Sequence, residues 1–109
     1  MTTPYALITG GAGGLGGAMT NLLLDKGWHV FVADFDAGAL AKWQGHPQVS
    51  TLQLDVTDAH SVAKAAAYVG QATTELAAVI NFAGIMALSY THPTPPTTTA
   101  WSLYVAPLY

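Results

Sequence analysis

The sequence contains neither cysteine nor arginine. Without cysteine the chain has neither a disulfide framework nor a thiolate metal site. Its only permanent positive charges are Lys26, Lys42 and Lys64, and the formal net charge is −3 at pH 7. Binding a nucleic-acid backbone needs a basic face to neutralise phosphates, so a nucleic-acid partner is not expected. The histidines at 29, 46, 60 and 92 are scattered without metal-ligand spacing, so no metal site is read. The start, Met1-Thr2-Thr3-Pro4, has no basic segment ahead of an apolar run, so no signal peptide is read. The longest apolar stretch, about Leu76 to Leu88, is interrupted by Asn81 and is too short to cross a bilayer. The expectation is a soluble, cytoplasmic chain with no membrane partner. Charge is scarce as well, at 8% of residues, and after Glu75 there is none apart from any on His92 and the terminus.

Apolar residues are abundant. They make up 51% of the 109 residues, enough for a buried core in one small domain and too many for a disordered chain. The run Tyr5 to Thr9 is halted by glycine and reads as a buried parallel strand. Leu15, Ala18, Met19, Leu22 and Leu23 then fall at helical spacing, and Gly27 stops the helix. His29 to Ala33 is a second strand closed by Asp34, followed by a short helix over Ala37 to Trp43. Val49 to Leu54 alternates as a third strand. Thr57 or Asp58 caps a helix with Val62, Ala65, Ala66 and Val69 on one face. Leu76 to Ile80 is a fourth strand ending at Asn81. Strands alternating with helices imply right-handed crossovers and an α/β fold. Its parallel sheet, in the order 3-2-1-4, is flanked by helices as half of a doubly wound structure.

Between the first strand and helix lies Thr9-Gly10-Gly11-Ala12-Gly13-Gly14-Leu15-Gly16. Glycines there let the backbone turn sharply and approach a pyrophosphate without Cβ atoms in the way. The N–H groups and dipole of the following helix then hold the negative charge. Two spacings coexist. Gly11-x-Gly13-x-x-Gly16 fits the general dinucleotide fingerprint, and Thr9-Gly10-x-x-x-Gly14-x-Gly16 fits a variant of it. No Gly-Lys-Ser/Thr follows, so a P-loop is excluded.

Three further segments stand in order behind this loop: Asp34 after the second strand, Asp55-Val56-Thr57-Asp58 after the third, and Asn81-Phe82-Ala83-Gly84 after the fourth. With the Thr-Gly-x-x-x-Gly-x-Gly loop, residues 5 to 88 resemble the N-terminal, Rossmann-type part of short-chain dehydrogenases/reductases, with Phe82 in place of the second Asn of the family's Asn-Asn-Ala-Gly segment. The resemblance implies that Gly10, Gly13, Gly14, Leu15 and Gly16 surround the pyrophosphate and adenosine ribose. It implies that Asp34 accepts from the ribose hydroxyls with Phe35 beside the adenine, and that Asp55 and Val56 line the adenine pocket. Asn81, Ala83 and Gly84 would support the ribose region and the central strand. Read as plain structure, Asp55 is instead a helix cap or loop carboxylate, and Asn81 a strand terminator. A carboxylate at Asp34 pairs with a 2′-hydroxyl and repels a 2′-phosphate, so NAD is expected over NADP.

The family's Tyr-x-x-x-Lys pair does not occur. Tyr5, Tyr68, Tyr90 and Tyr104 are followed four residues on by Thr9, Ala72, Thr94 and Leu108, and no lysine follows Lys64. No catalytic residue is therefore assigned. The expectation is an NAD-binding half-Rossmann domain over 1–88, truncated after the fourth strand, and a Thr/Pro-rich, aromatic tail over 89–109. A frameshift or early stop soon after Gly84 would explain the uncharged tail. Three readings stand open: an oxidoreductase inactive by itself, a non-catalytic dinucleotide module acting through a partner, or a product without function. The fourth strand would present an apolar edge, covered by the tail or by a second copy of the chain.

Overall fold

Each apolar run identified in the sequence becomes a strand of one sheet. The computed structural model describes residues 3–82, together with the backbone of 86–91 and 102–107. In chain order these are β1 (Tyr5–Thr9), α1 (Gly14–Asp25), β2 (His29–Asp34), α2 (Ala37–Leu40), β3 (Val49–Gln53), α3 (Ala59–Ala72), β4 (Ala78–Asn81), β5 (Met86–Thr91) and β6 (Ser102–Pro107). A 3₁₀ turn, Ala41–Trp43, continues α2. The first four strands form a parallel sheet in the order β3-β2-β1-β4. Leu7 sits opposite Phe31 on one side and Val79 on the other, which puts β1 at the centre.

Period-2 alternation divides the central strands between two cores. Leu7, Phe31 and Ala33 pack with Val62, Ala65 and Val69 of α3 on one face. Ala6, Ile8, Val30 and Val32 pack with Leu23 and Leu40 on the other. All seven of these strand residues have no exposed surface, so both faces of the sheet are covered. Full burial of Phe31 alone contributes about 2–3 kcal/mol. Its ring also lies 5.8 Å from Tyr5, 5.5 Å from His29 and 6.1 Å from Tyr68.

The helix ends follow from local chemistry. α1 stops in a Schellman arrangement: Trp28 N–H donates to Leu23 C=O, Gly27 N–H donates to Leu24 C=O, and Gly27 has φ +85°. Asp58 caps α3 by accepting from His60 N–H. Asp36 caps α2 by accepting from Gly38 and Ala39 N–H.

The structure departs from the sequence reading in four places. The buried face of α1 is Gly16, Gly17, Thr20 and Leu23, whereas Leu15 and Leu22 of the apolar stripe are exposed. Small residues let this helix sit close to the glycine loop, and that proximity outweighs the larger side chains in setting its rotation. The helix over Ala37 to Trp43 is an α turn followed by a 3₁₀ turn. β4 begins two residues later than read, because Leu76 is buried ahead of the strand and Ala77 N–H donates to Tyr5 C=O at its entrance. Finally, β5 and β6 pair antiparallel, adding two strands that the sequence reading does not name, β5 beginning ahead of the tail and β6 lying within it. Pro93, Pro95 and Pro96 fall between them in sequence, so neither ladder has to accommodate them.

Candidate functional site

The carboxyl ends of parallel strands leave a crevice where the strand order reverses, here between β1 and β4. A cleft of about 700 Å³ opens on this edge across the carboxyl ends of all four strands, lined by Thr9, Gly10, Ala33, Asp34, Phe35, Leu54, Asp55, Val56, Thr57 and Phe82. Five residues expected from the sequence thus meet in one cleft: Gly10, Asp34, Phe35, Asp55 and Val56. Thr9, Thr57 and Phe82 also line it and had no role assigned, although all three stand inside segments the sequence reading quoted. Ala83 and Gly84 lie outside the described residues.

Gly10 and Gly14 have φ of +67° and +57°, backbone conformations that favour glycine. Both belong to the Thr-Gly-x-x-x-Gly-x-Gly spacing, and the two left-handed residues give the loop its shape. Gly16 serves packing. A Cβ built there would lie 1.9 Å from the Gly10 carbonyl oxygen, so only hydrogen lets α1 approach the loop. Around Gly13 and Gly14 the situation is opposite, with no atom within 4 Å of an added Cβ. Leu15, 75% exposed, projects beside the loop and does not line the cleft.

Five hydrogen-bond contacts hold this loop. Gly11 N–H donates to Ala33 C=O at 3.2 Å, and the buried Thr20 hydroxyl lies 3.2 Å from Gly11 C=O and 2.9 Å from Gly16 C=O. Ala12 N–H donates to Asp34 Oδ2 at 3.2 Å, and Trp43 Nε1–H donates to Ala12 C=O at 2.8 Å. Trp43 lies 31 positions from Ala12, and no local pattern in the sequence signals the contact.

The acidic side chains differ in setting. Asp34 Oδ1 accepts from Asp36 N–H at 3.0 Å, so its carboxylate is oriented by backbone on both oxygens and faces the cleft mouth. Phe35 beside it is 66% exposed, with its carbonyl accepting from Gln53 Nε2 at 3.1 Å. Asp55 forms an Asx turn, accepting from the Thr57 hydroxyl at 2.6 Å and from Thr57 N–H at 2.9 Å. Those bonds, hydroxyl first, hold its carboxyl below the usual carboxylate range, against a smaller upward push from desolvation. Asp58, not Asp55, is the cap of α3. Asn81 sits opposite Thr9 in the β1–β4 ladder and accepts from the Thr9 hydroxyl, while Phe82 N–H donates to Thr9 C=O at 2.8 Å. The end of β4 is thereby tied to the start of the glycine loop.

Chemically, the cleft offers a loop with open backbone, two fixed carboxylates and two exposed phenyl rings. That set suits a ligand with an anionic middle, hydroxyl groups and a flat heteroaromatic end. Among the described residues no group of three His, Cys, Asp or Glu is placed to hold a metal ion. No described helix is long and apolar enough to cross a membrane.

Comparison with known proteins agrees with this geometry. A family model described as short chain dehydrogenase matches residues 4–103. The uncharacterized oxidoreductase YuxG of Bacillus subtilis is 34% identical over 87 residues, covering 73% of this chain and 13% of that protein. Among solved structures, a short chain dehydrogenase/reductase from Burkholderia phymatum in complex with NAD is 26% identical with a TM-score of 0.64, covering 71% of this chain and 29% of that one. A protein described as ribose-5-phosphate isomerase from Brucella melitensis is 33% identical with a TM-score of 0.70, covering 78% of this chain and 33% of that one. The chain therefore spans about a third of these solved chains and a smaller part of YuxG.

Proposed function

The chain belongs to the short-chain dehydrogenase family, and from that membership we propose that residues 1–88 form an NAD(H)-binding unit whose parent reaction is hydride transfer between NAD(H) and an alcohol/carbonyl substrate. The family binds nicotinamide dinucleotides, and the preference for NAD is argued from Asp34. This carboxylate stands at the cleft mouth with both oxygens oriented by backbone N–H groups, at the height where the glycine loop begins. Its free lone pairs suit the two ribose hydroxyls. A 2′-phosphate would place like charges together, which costs about 4 kcal/mol per pair of unit charges 4 Å apart at the effective dielectric of a protein surface. No arginine exists in the chain to offset that repulsion.

In this reading Gly10, Gly13, Gly14, Leu15 and Gly16 surround the pyrophosphate and adenosine ribose, with Gly16 acting through packing. The open space at Gly13 is what a closely approaching phosphate group requires. Phe35, Asp55 and Val56 form the adenine end, and Asn81, Ala83 and Gly84 carry the ribose region. Bound NAD would supply the hydride-accepting ring. Proton transfer to or from a substrate oxygen needs a group of suitable pKa within hydrogen-bond reach. The family's Tyr-x-x-x-Lys pair is absent from these 109 residues, so the chain alone binds cofactor and does not turn over. Residues 89–109 are assigned to a tail that follows the cofactor unit in the sequence. A non-catalytic dinucleotide module is the second reading, carried by that same missing pair.

The test is a titration of the purified chain with NADH and NADPH in parallel, read by reduced-cofactor fluorescence. Saturable binding at least about tenfold tighter for NADH, a difference of roughly 1.4 kcal/mol, is the expected result. No saturable binding to a folded sample would sink the reading. Tighter NADPH binding would sink only the role given to Asp34.

A further inference from the structure

Trp43 is placed by neither the motifs nor the cleft lining, yet its indole is built into the glycine loop. Its Nε1–H donates to the Ala12 carbonyl at 2.8 Å. Its ring packs on the α1 side of the sheet, with Cζ2 3.7 Å from where a Cβ on Gly17 would stand. A trans peptide unit holds its C=O and N–H antiparallel. Fixing the Ala12 carbonyl towards Trp43 therefore turns the amide of the same unit, Gly13 N–H, the opposite way, and beside it the Gly13 Cα is open to a ligand, since an added Cβ there would meet nothing. The preceding peptide unit is held too, because Ala12 N–H donates to Asp34 Oδ2 and the Gly11 carbonyl faces the Thr20 hydroxyl. Two consecutive units of a glycine-rich loop, the most flexible backbone available, are thus pinned from β2, from α1 and from the 3₁₀ turn.

We propose that Trp43 is a positioning residue that locks the Ala12–Gly13 peptide with its N–H turned towards the pyrophosphate of the bound dinucleotide. The proposal rests on the dinucleotide reading above and adds to it which side chain prepares the phosphate-binding amide. A phenyl ring in its place keeps most of the packing and removes the donor. The Ala12–Gly13 unit then rotates between orientations, and binding a diphosphate has to select the competent one. The discriminating feature is chemical. The effect falls on ligands that carry the diphosphate and spares those that end at the nucleoside.

The experiment compares the full chain with its Trp43→Phe variant, titrated with NADH, ADP and adenosine by calorimetry, after thermal unfolding has been recorded for both. Loss of one hydrogen bond predicts NADH and ADP weakened about three- to tenfold, with adenosine within about twofold of the unsubstituted chain. Equal weakening of ADP and adenosine would mean a general loosening and overturn the proposal, as would undiminished ADP binding. A second measurement needs no folded variant. In the ligand-free, unsubstituted chain the Trp43 indole proton, distinguished by NMR from those of Trp28 and Trp101, exchanges slowly with solvent if the bond to Ala12 persists. Rapid exchange overturns the clamp while leaving cofactor binding intact. A protected indole in a chain that binds neither NADH nor ADP refutes the dinucleotide reading and, with it, the purpose given to the clamp.

Discussion

Gly13 and Gly16 are three residues apart in one loop, and the structure assigns them opposite tolerances. In a helix, replacing glycine by alanine ordinarily stabilises by about 1 kcal/mol. At Gly16 a methyl carbon would sit 1.9 Å from the Gly10 carbonyl oxygen and 2.7 Å from the carbonyl carbon. Neither atom belongs to a flexible side chain, so α1 has to move off the loop by more than an ångström. Overpacking of buried sites costs about 1–3 kcal/mol, and a rigid backbone partner puts this site at the upper end. The clash outweighs the propensity gain, and Gly16→Ala is expected to lower Tm by roughly 10 °C from a net loss of about 2 kcal/mol. Gly13 has extended backbone at φ −153°, which any residue adopts, and no neighbour within reach of a Cβ. Gly13→Ala should therefore keep or raise stability, by about 0.4–1 kcal/mol through the unfolded chain. It should nonetheless weaken NADH binding at least about tenfold, because the added methyl occupies the approach of the phosphates. Differential scanning fluorimetry and NADH fluorescence titration on the two variants read both quantities. An unchanged Tm for Gly16→Ala would refute the packing argument. Wild-type NADH affinity in Gly13→Ala would refute the placement of the pyrophosphate.

Two further outcomes follow from the charged and titrating groups. Asp34→Asn removes the like charge facing a 2′-phosphate while keeping one acceptor oxygen. The ratio of NADPH to NADH dissociation constants should fall at least about tenfold in parallel titrations, and an unchanged ratio would remove Asp34 from cofactor choice. Burial lowers the pKa of His29, which sits among Tyr5 and Phe31 with Nε2 2.8 Å from Ser50 Oγ. Its unfolded value is the higher one, so the stability it contributes is full above pH 6.5 and is lost as pH falls through the lower folded value. Unfolding midpoints between pH 7.5 and 5 should decline in the unsubstituted chain and decline less in His29→Gln, and parallel curves would exclude His29 as the cause.

Much of the fold was legible because its signals are local. Uninterrupted runs such as Val30-Phe31-Val32-Ala33 carry the parallel strand in themselves, and Val62, Ala65, Ala66 and Val69 mark the buried face of α3 by spacing alone. The strand order followed from the alternation of elements. α1 misled because hydrophobicity was read as burial, whereas Gly16, Gly17 and Thr20 win the inner face by being small. The 2.9 Å bond from Thr20 back to Gly16 completes that close approach and has no hydrophobic signature. In the cleft, the sequence reading named the residues whose type is diagnostic, Asp34 and Asp55 among them. It passed over those that matter through position, such as Thr9, Phe82 and Trp43. A contact between Trp43 and Ala12 exists only once β2 has carried the chain past the loop and α2 has turned it back.

The central place of β1 sets a timetable for synthesis. Within this parallel sheet β1 is made before its neighbours: β2 follows within a few tens of residues, and β4 comes last of the four. The Thr9–Asn81 contact closes 72 positions of chain. At about 5–20 residues per second, a ribosome needs roughly 4 to 14 seconds to supply that stretch. Over this interval Leu7 and Ile8 present a bare backbone edge with nothing of their own chain to pair with. The nascent protein is therefore most exposed to wrong partners at the strand that later becomes its most enclosed.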